Sequence, residues 1–191
     1  MSTVPQSLRR RDGVRVLVAH AGVHGSTRSI AERIAARLQE QGARVGVLPV
    51  EEVGDPGEYD VVVVGSAVHD MAWLPEALSF VRAGADLLAA RDVWLFSVGM
   101  PAAARGPWRA LVGREEGHVV GGLIDELHPR GHRLFSGVIA PEHLTPTGRL
   151  KFQAMGLRYG DYRDWPAVDD WARHIGREVL GSGAEADDTP D

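Results

Sequence analysis

"VRVLVAHAGVHGSTRSIAERIAARL", residues 14–38, decides how the chain folds. Val14–Ala19 is short, apolar and β-branched, as a strand buried on both faces requires. From Ser26 the period changes. Ile30, Ile34 and Leu38 recur every four residues, while Arg33, Arg37 and Glu40 fall on other faces. The spacing predicts an amphipathic helix over Ser26–Gln41, stopped at Gly42. Between strand and helix lies "GVHGST". Gly22 and Gly25 let the backbone turn tightly and approach a ligand. Ser26 and Thr27, with Ser26 as the expected N-cap, open a helix whose first N–H groups lack intrahelical partners and whose dipole adds partial positive charge. Such a loop suits a phosphate.

The same alternation continues outward. "ARVGVLPV" (Ala43–Val50) reads as a second strand and "VVVVG" (Val61–Gly65) as a central one. "SAVHDMAW" reads as a loop, and Leu74–Ala90 as one helix with Pro75 in its first turn. Asp92–Gly99 and His132–Ala140 read as the fourth and fifth strands. Residues 100–117 form a long Gly/Ala/Pro-rich loop, His118–Leu127 a weak helix, and Thr147–Met155 a short one. The last helix begins near Trp165, with Asp164 as N-cap and a buried stripe of Val168, Trp171, Ala172, Ile175 and Val179. "GDYRDW" (Gly160–Trp165) is expected to fix the start of that helix through polar contacts. Strands alternating with helices predict an α/β fold, a doubly wound sandwich on a five-stranded parallel sheet. Ligands of such sheets sit beyond the carboxyl ends of the strands at the topological switch point. That brings loops 20–27, 66–73 and 97–108 together.

Composition narrows the chemistry. The chain has 191 residues, suiting one domain over 14–180, with a basic tail (1–13) and an acidic tail (181–191) expected to be flexible. A net charge of −5 and the lack of a basic, aromatic-studded stripe argue against nucleic acid. No cysteine is present, which removes disulfides, thiolate metal sites and a Cys nucleophile. Neither a membrane span nor a signal peptide is legible, so the cytoplasm is the expected compartment.

The phosphate loop is not a Walker loop, since no Lys follows its second Gly, and it is not G-x-G-x-x-G. A receiver-type acceptor Asp is missing, because the third strand ends in Gly65–Ser66 and its Asp60 lies at the start. FMN, with one phosphate and one flat ring, remains.

Four blocks carry a resemblance: "VLVAHAGVHGSTRSIAERIAARL", "YDVVVVGSAVHDMAWLPEA", "VWLFSVGMP" and "GDYRDWPAVDDWA". Together, from about residue 14 to 180, they resemble the flavodoxin-domain family, in the branch related to the menaquinone-linked, flavodoxin-type protoporphyrinogen oxidase. The resemblance implies the flavodoxin-like strand order 2-1-3-4-5. It implies that His24, Gly25, Ser26 and Thr27 wrap the FMN phosphate. Ser66, Ala67, Val68 and His69 would lie along the isoalloxazine ring, with backbone near its N5. Ser97, Val98 and Gly99 would meet its pyrimidine side. The chain departs from the family where Gly22 replaces a hydroxyl residue, His20 an aromatic one and His69 a tyrosine. A lost hydrogen bond to a charged group costs roughly 1.5–3 kcal/mol. Trp73 or Trp108 is a candidate replacement ring.

His20, His24 and His69 are expected to approach one another. A three-His metal site is weighed against ordinary contact roles, which are favoured, and His69 is also a candidate acid–base group. Arg105 and Arg109 suit an acidic substrate or a solvated surface. Two functions stay open: an FMN-binding oxidoreductase or electron carrier, and a non-flavin binding or regulatory module on the same scaffold. A hydrolase or metal enzyme is a weaker third. The expected partners are a redox protein or a quinone-type or other small-molecule substrate, with a homodimer possible.

Overall fold

The computed structural model describes residues 13–70, 72–99, 122, 127–154 and 158–181. Its centre is a parallel sheet. β1 (Arg15–Ala21) pairs with β2 (Arg44–Pro49) on one side and β3 (Val61–His69) on the other. β5 (Asp92–Gly99) pairs with β3, and β6 (Gly131–Ser136) closes the row, giving the order β2-β1-β3-β5-β6. The chain order of these five parallel strands is the doubly wound order 2-1-3-4-5. β4 (Ala72–Trp73) is a short strand folded back antiparallel on the end of β3.

Side chains of a strand point alternately to opposite faces. Val16, Val18, Val61, Val63, Trp94 and Phe96 therefore pack against α1 (Ser26–Glu40) and α5 (Trp165–Gly181). Leu17, Ala19, Val62, Val64, Val93 and Leu95 pack against α2 (Pro75–Ala83) and α3 (Ala85–Ala89). An unbroken valine run thus serves two cores at once. α1 buries Ile30, Ile34 and Leu38, and a buried side chain of that size contributes roughly 1.5–3 kcal/mol. α1 is tied to α5 by Asp169, whose carboxylate accepts from Arg33 Nε and Nη2 at 2.6 and 2.7 Å and from Arg37 Nε at 3.0 Å. These guanidinium bonds hold the Asp169 carboxyl down to about 2.

Four local expectations need correction. The stretch 66–73 is a hairpin, because β3 runs on to His69 and turns through Asp70, whose φ of 47° is a left-handed position that Asp tolerates. The helix expected over Leu74–Ala90 breaks at Gly84. The fifth strand does not continue to Ala140. It leaves the sheet at Gly137, and β7 (Val138–Ile139) pairs instead with β8 (Gly160–Asp161). Ser26 is not the N-cap of α1; Gly25 is, at φ 81°. Beyond Gly137 a small satellite core of Ile139 and Phe152 gathers Leu144, Tyr159 and Tyr162 around α4 (Pro146–Ala154). The N-cap at Asp164 is present, its Oδ1 accepting from Ala167 N–H at 3.0 Å. Arg163 bonds Asp161 and lies 4.8 Å from the Trp165 ring, as "GDYRDW" led us to expect. The loop 100–117, most of the helix at 118–127 and the outer tails, 1–12 and 182–191, fall outside the described residues, and so do Trp108, Arg105 and Arg109.

Candidate functional site: a cleft at the strand ends

The carboxyl ends of β1, β3 and β5 open on a cleft of about 240 Å³. Its floor and sides are Val23, His24, Ser26 and Thr27 from the first loop, Ala67 to Asp70 from the hairpin, and Val98 and Gly99 from β5. The last side is unforeseen by the sequence: Gly137, Val138, Ile139, His143 and Leu144.

Gly25 reverses the backbone so that α1 starts facing the cleft, and no side chain caps the helix's first turn. Its amides retain the electropositive character that suits an anion. Ser26 Oγ accepts from Val138 N–H at 3.0 Å, which leaves its own proton to donate. Thr27 is buried (2% exposed). A Cβ placed on Gly22 would come within 2.6 Å of Thr27 Oγ1. The glycine at 22 and the threonine at 27 are therefore one packing decision: this loop has no room for a hydroxyl side chain at 22.

Histidines divide between two places. His24 and His69 share the cleft, whereas His20 lines a separate cavity of about 570 Å³ with Arg28, Glu32, Glu51, Glu52 and Glu76. Gly22 lines that second cavity too. The expectation that three histidines converge is thus corrected: as a β1 residue, His20 turns its side chain away from the cleft. Burial, reinforced by Arg28, holds His20 below the usual imidazole range. Among the described residues no group of three His, Asp or Glu side chains is placed to hold a metal ion. A third histidine does reach the cleft, but it is His143. Its ring stacks on His24 with centroids 4.0 Å apart and planes 7° from parallel. Burial, followed by the neighbouring His143 and His69, pushes His24 below its ordinary value, against a smaller opposing pull from Glu142.

Ser66 and Ser97 are fully buried at the strand ends. Ser66 Oγ donates to the Ala67 carbonyl and accepts from Leu74 N–H, pinning the hairpin to the start of α2. Ser97 Oγ accepts from Trp73 Nε1 at 2.8 Å and lies 2.9 Å from His132 Nε2. Burial keeps His132 below the usual imidazole range. Trp73 is consequently a core side chain, 2% exposed, and is corrected as a stacking ring. The hairpin that brings it back over β5 is what the loop reading of 66–73 missed. Two signals pointed to the unforeseen wall: a Gly inside the 132–140 strand pattern and Pro141 just beyond it.

An uncapped helix start beside a slot between two strand-end loops is what the cleft presents on this doubly wound sheet. The flavodoxin domain model matches residues 17–161, and the chain belongs to that family. Solved structures agree on the fold. Rubredoxin oxygen:oxidoreductase from Desulfovibrio gigas aligns over 91% of this chain and 38% of its own, at 13% identity and a TM-score of 0.59. The chain thus spans well under half the length of that protein. A short-chain flavodoxin associated with a non-canonical PDU bacterial microcompartment aligns over 87% of this chain and 99% of its own, at 13% identity and TM-score 0.57. The apo form of NADH:FMN oxidoreductase (EmoB) aligns over 86% and 89%, at 11% and 0.56. No curated protein matches the sequence. Among the described residues no helix is long and apolar enough to cross a membrane.

Proposed function

We propose that the cleft binds FMN and that the chain serves as an FMN-dependent oxidoreductase or electron carrier, in the branch related to the menaquinone-linked protoporphyrinogen oxidase. The observation that carries this reading is the uncapped first turn of α1 opening into a slot walled by Ala67, Val68, Val98 and Gly99. The residues fit the group. Amides of the first turn, with the Ser26 hydroxyl, would hold the phosphate. The flat ring would be held by residues of the β3–β4 hairpin and the end of β5, with Ile139 and Leu144 on the remaining side.

When bound, the flavin supplies the one- or two-electron chemistry. The chain's own residues bind, orient and shield it. The serines beneath the slot set its depth: Ser66 fixes the hairpin and Ser97 ties β5 to Trp73 and His132. His69, at the hairpin's end, lines the cleft and is the candidate for exchanging a proton with the ring. Val23, 66% exposed at the lip, offers apolar surface to a redox partner or a quinone-type acceptor. The cytoplasm is the compartment this reading assumes.

Titrating the purified apoprotein with FMN and following flavin fluorescence tests the proposal. Saturable quenching is expected. A colourless protein that leaves FMN fluorescence unchanged supports the second reading, a non-flavin module on the same frame, which the filled space at Gly22 favours.

A further inference from the structure

The stacked pair His24–His143 lies in the cleft without a part in the reading above. The rings come from distant segments: His24 from the loop before α1, and His143 from a 3-10 turn, Pro141–His143, that the break at Gly137 sends over the cleft. His143 is held locally. Its Nδ1 accepts from the Ala140 backbone N–H at 3.3 Å, which leaves Nε2–H as its donor. His24 is not tied in this way and has a stacking partner on one face. Among the described residues the titratable and charged groups around the pair are His69 and Asp70 on the hairpin, Glu142 beside His143, and Arg149, whose Nε donates to the Pro141 and Leu144 carbonyls at 2.7 and 3.1 Å.

We propose that His24 and His143 form a two-ring clamp on the phosphate, with His143 a fixed donor and His24 the ring that takes up a proton as the phosphate arrives. The inference rests on the FMN reading and adds a residue and a regulation to it. Without a ligand, desolvation and two neighbouring imidazoles push the His24 ring toward its neutral form. A phosphate dianion beside it reverses the balance, because an opposite charge within a few ångströms favours the protonated ring. The proton comes from solvent and no bond is made or broken. Uptake on binding means that FMN binds more tightly as pH falls, until the phosphate's own second ionisation near pH ~6 sets a limit. Riboflavin has the same ring and no phosphate, so its binding should not follow this pH dependence.

The test compares FMN and riboflavin on the full-length protein by fluorescence quenching between pH 6.5 and 8.0. For FMN the wild-type Kd should tighten about fivefold over that range, as expected for uptake of up to one proton. Riboflavin affinity should stay within about twofold. His143→Phe keeps a stacking ring and removes the donor. It should weaken FMN about tenfold and riboflavin little, since charge-assisted hydrogen bonds are the strong ones. His143→Gln, which restores a donor, guards against a folding defect and should recover part of the FMN affinity. His24→Phe should flatten the FMN pH profile, separating His24 from His69 and from the phosphate's own titration. In wild-type protein the NMR titration midpoint of the His24 ring should rise when FMN is added. Equal FMN-to-riboflavin ratios in wild type and His143→Phe, or a wild-type pH slope unchanged in His24→Phe, overturn the clamp while leaving FMN binding intact. If neither flavin binds wild type at any pH, the flavin reading falls, and the clamp with it.

Discussion

The loop Gly22–Thr27 and the segment Gly137–Leu144 face each other across the cleft, and they are held in opposite ways. The first is continuous with a central strand and the longest buried stripe of α1, and its shape follows from glycines and a helix start within six residues. The second has left the sheet. It reaches the first through Val138 N–H on Ser26 Oγ, a bond spanning 112 residues of sequence, and through the His24–His143 stack. The first wall is set by backbone and packing, the second by side-chain bonds to the first. Disturbing the first should therefore cost global stability, and disturbing the second should loosen the cleft while the sheet stands.

The largest effect is expected at Gly22→Ser. The new Cβ meets Thr27 Oγ1 and Cβ at 2.6 and 2.8 Å, and overpacking of this kind costs about 3 kcal/mol. Urea denaturation should show the loss, and Thr27→Ala in the same chain, which removes the Oγ1 contact and keeps the Cβ one, should return part of it. A double mutant no more stable than Gly22→Ser alone would break the proposed trade between the two positions. Next comes Asp169→Ala, which removes the carboxylate joining α1 to α5 and should cost about 2 kcal/mol, as for hydrogen bonds to charged groups. Because the Asp169 carboxyl is held down to about 2, its contribution is complete above the ordinary carboxylate value of ~3.9 and is lost as pH falls toward the folded value. Acid unfolding curves of wild type and variant should converge in that window.

Ser26→Ala should cost about 1.5 kcal/mol by orphaning the Val138 amide. Its signature is local: hydrogen exchange should quicken at Val138 while the amides of β1 and β3 stay protected. Uniform acceleration over the sheet would erase the distinction between the two walls. The smallest change is expected at Asp164→Ala, about 1 kcal/mol for a lost N-cap. It should lower the thermal midpoint slightly and leave the cleft's ligand affinity unaltered.

The same contrast explains what the sequence disclosed. β1, α1 and the valine strand β3 were legible because their periods are strong and local. The switch-point position of the cleft followed from topology alone. Trp73 was misplaced because nothing local shows that β3 continues past Gly65 and folds back; that depends on Ser97 receiving the indole N–H and Ser66 receiving Leu74. His143 could not be assigned, since "PEHL" has no period and its partner lies more than a hundred residues earlier. Gly22 was legible as a departure from the family, but its cause, the buried Thr27, required coordinates. Short-range physics wrote one half of the cleft into the sequence, and long-range contacts supply the other half.

The break at Gly137 has a consequence for how such chains diversify. The described residues between Val138 and Asp161 form an excursion closed at its base by the β7–β8 pairing and centred on its own Phe152–Tyr159 stack. Its length and chemistry can change without disturbing the order of the five parallel strands. A change of sequence in this excursion can therefore reshape the far wall of the cleft while the β1–α1 turn keeps its own local supports.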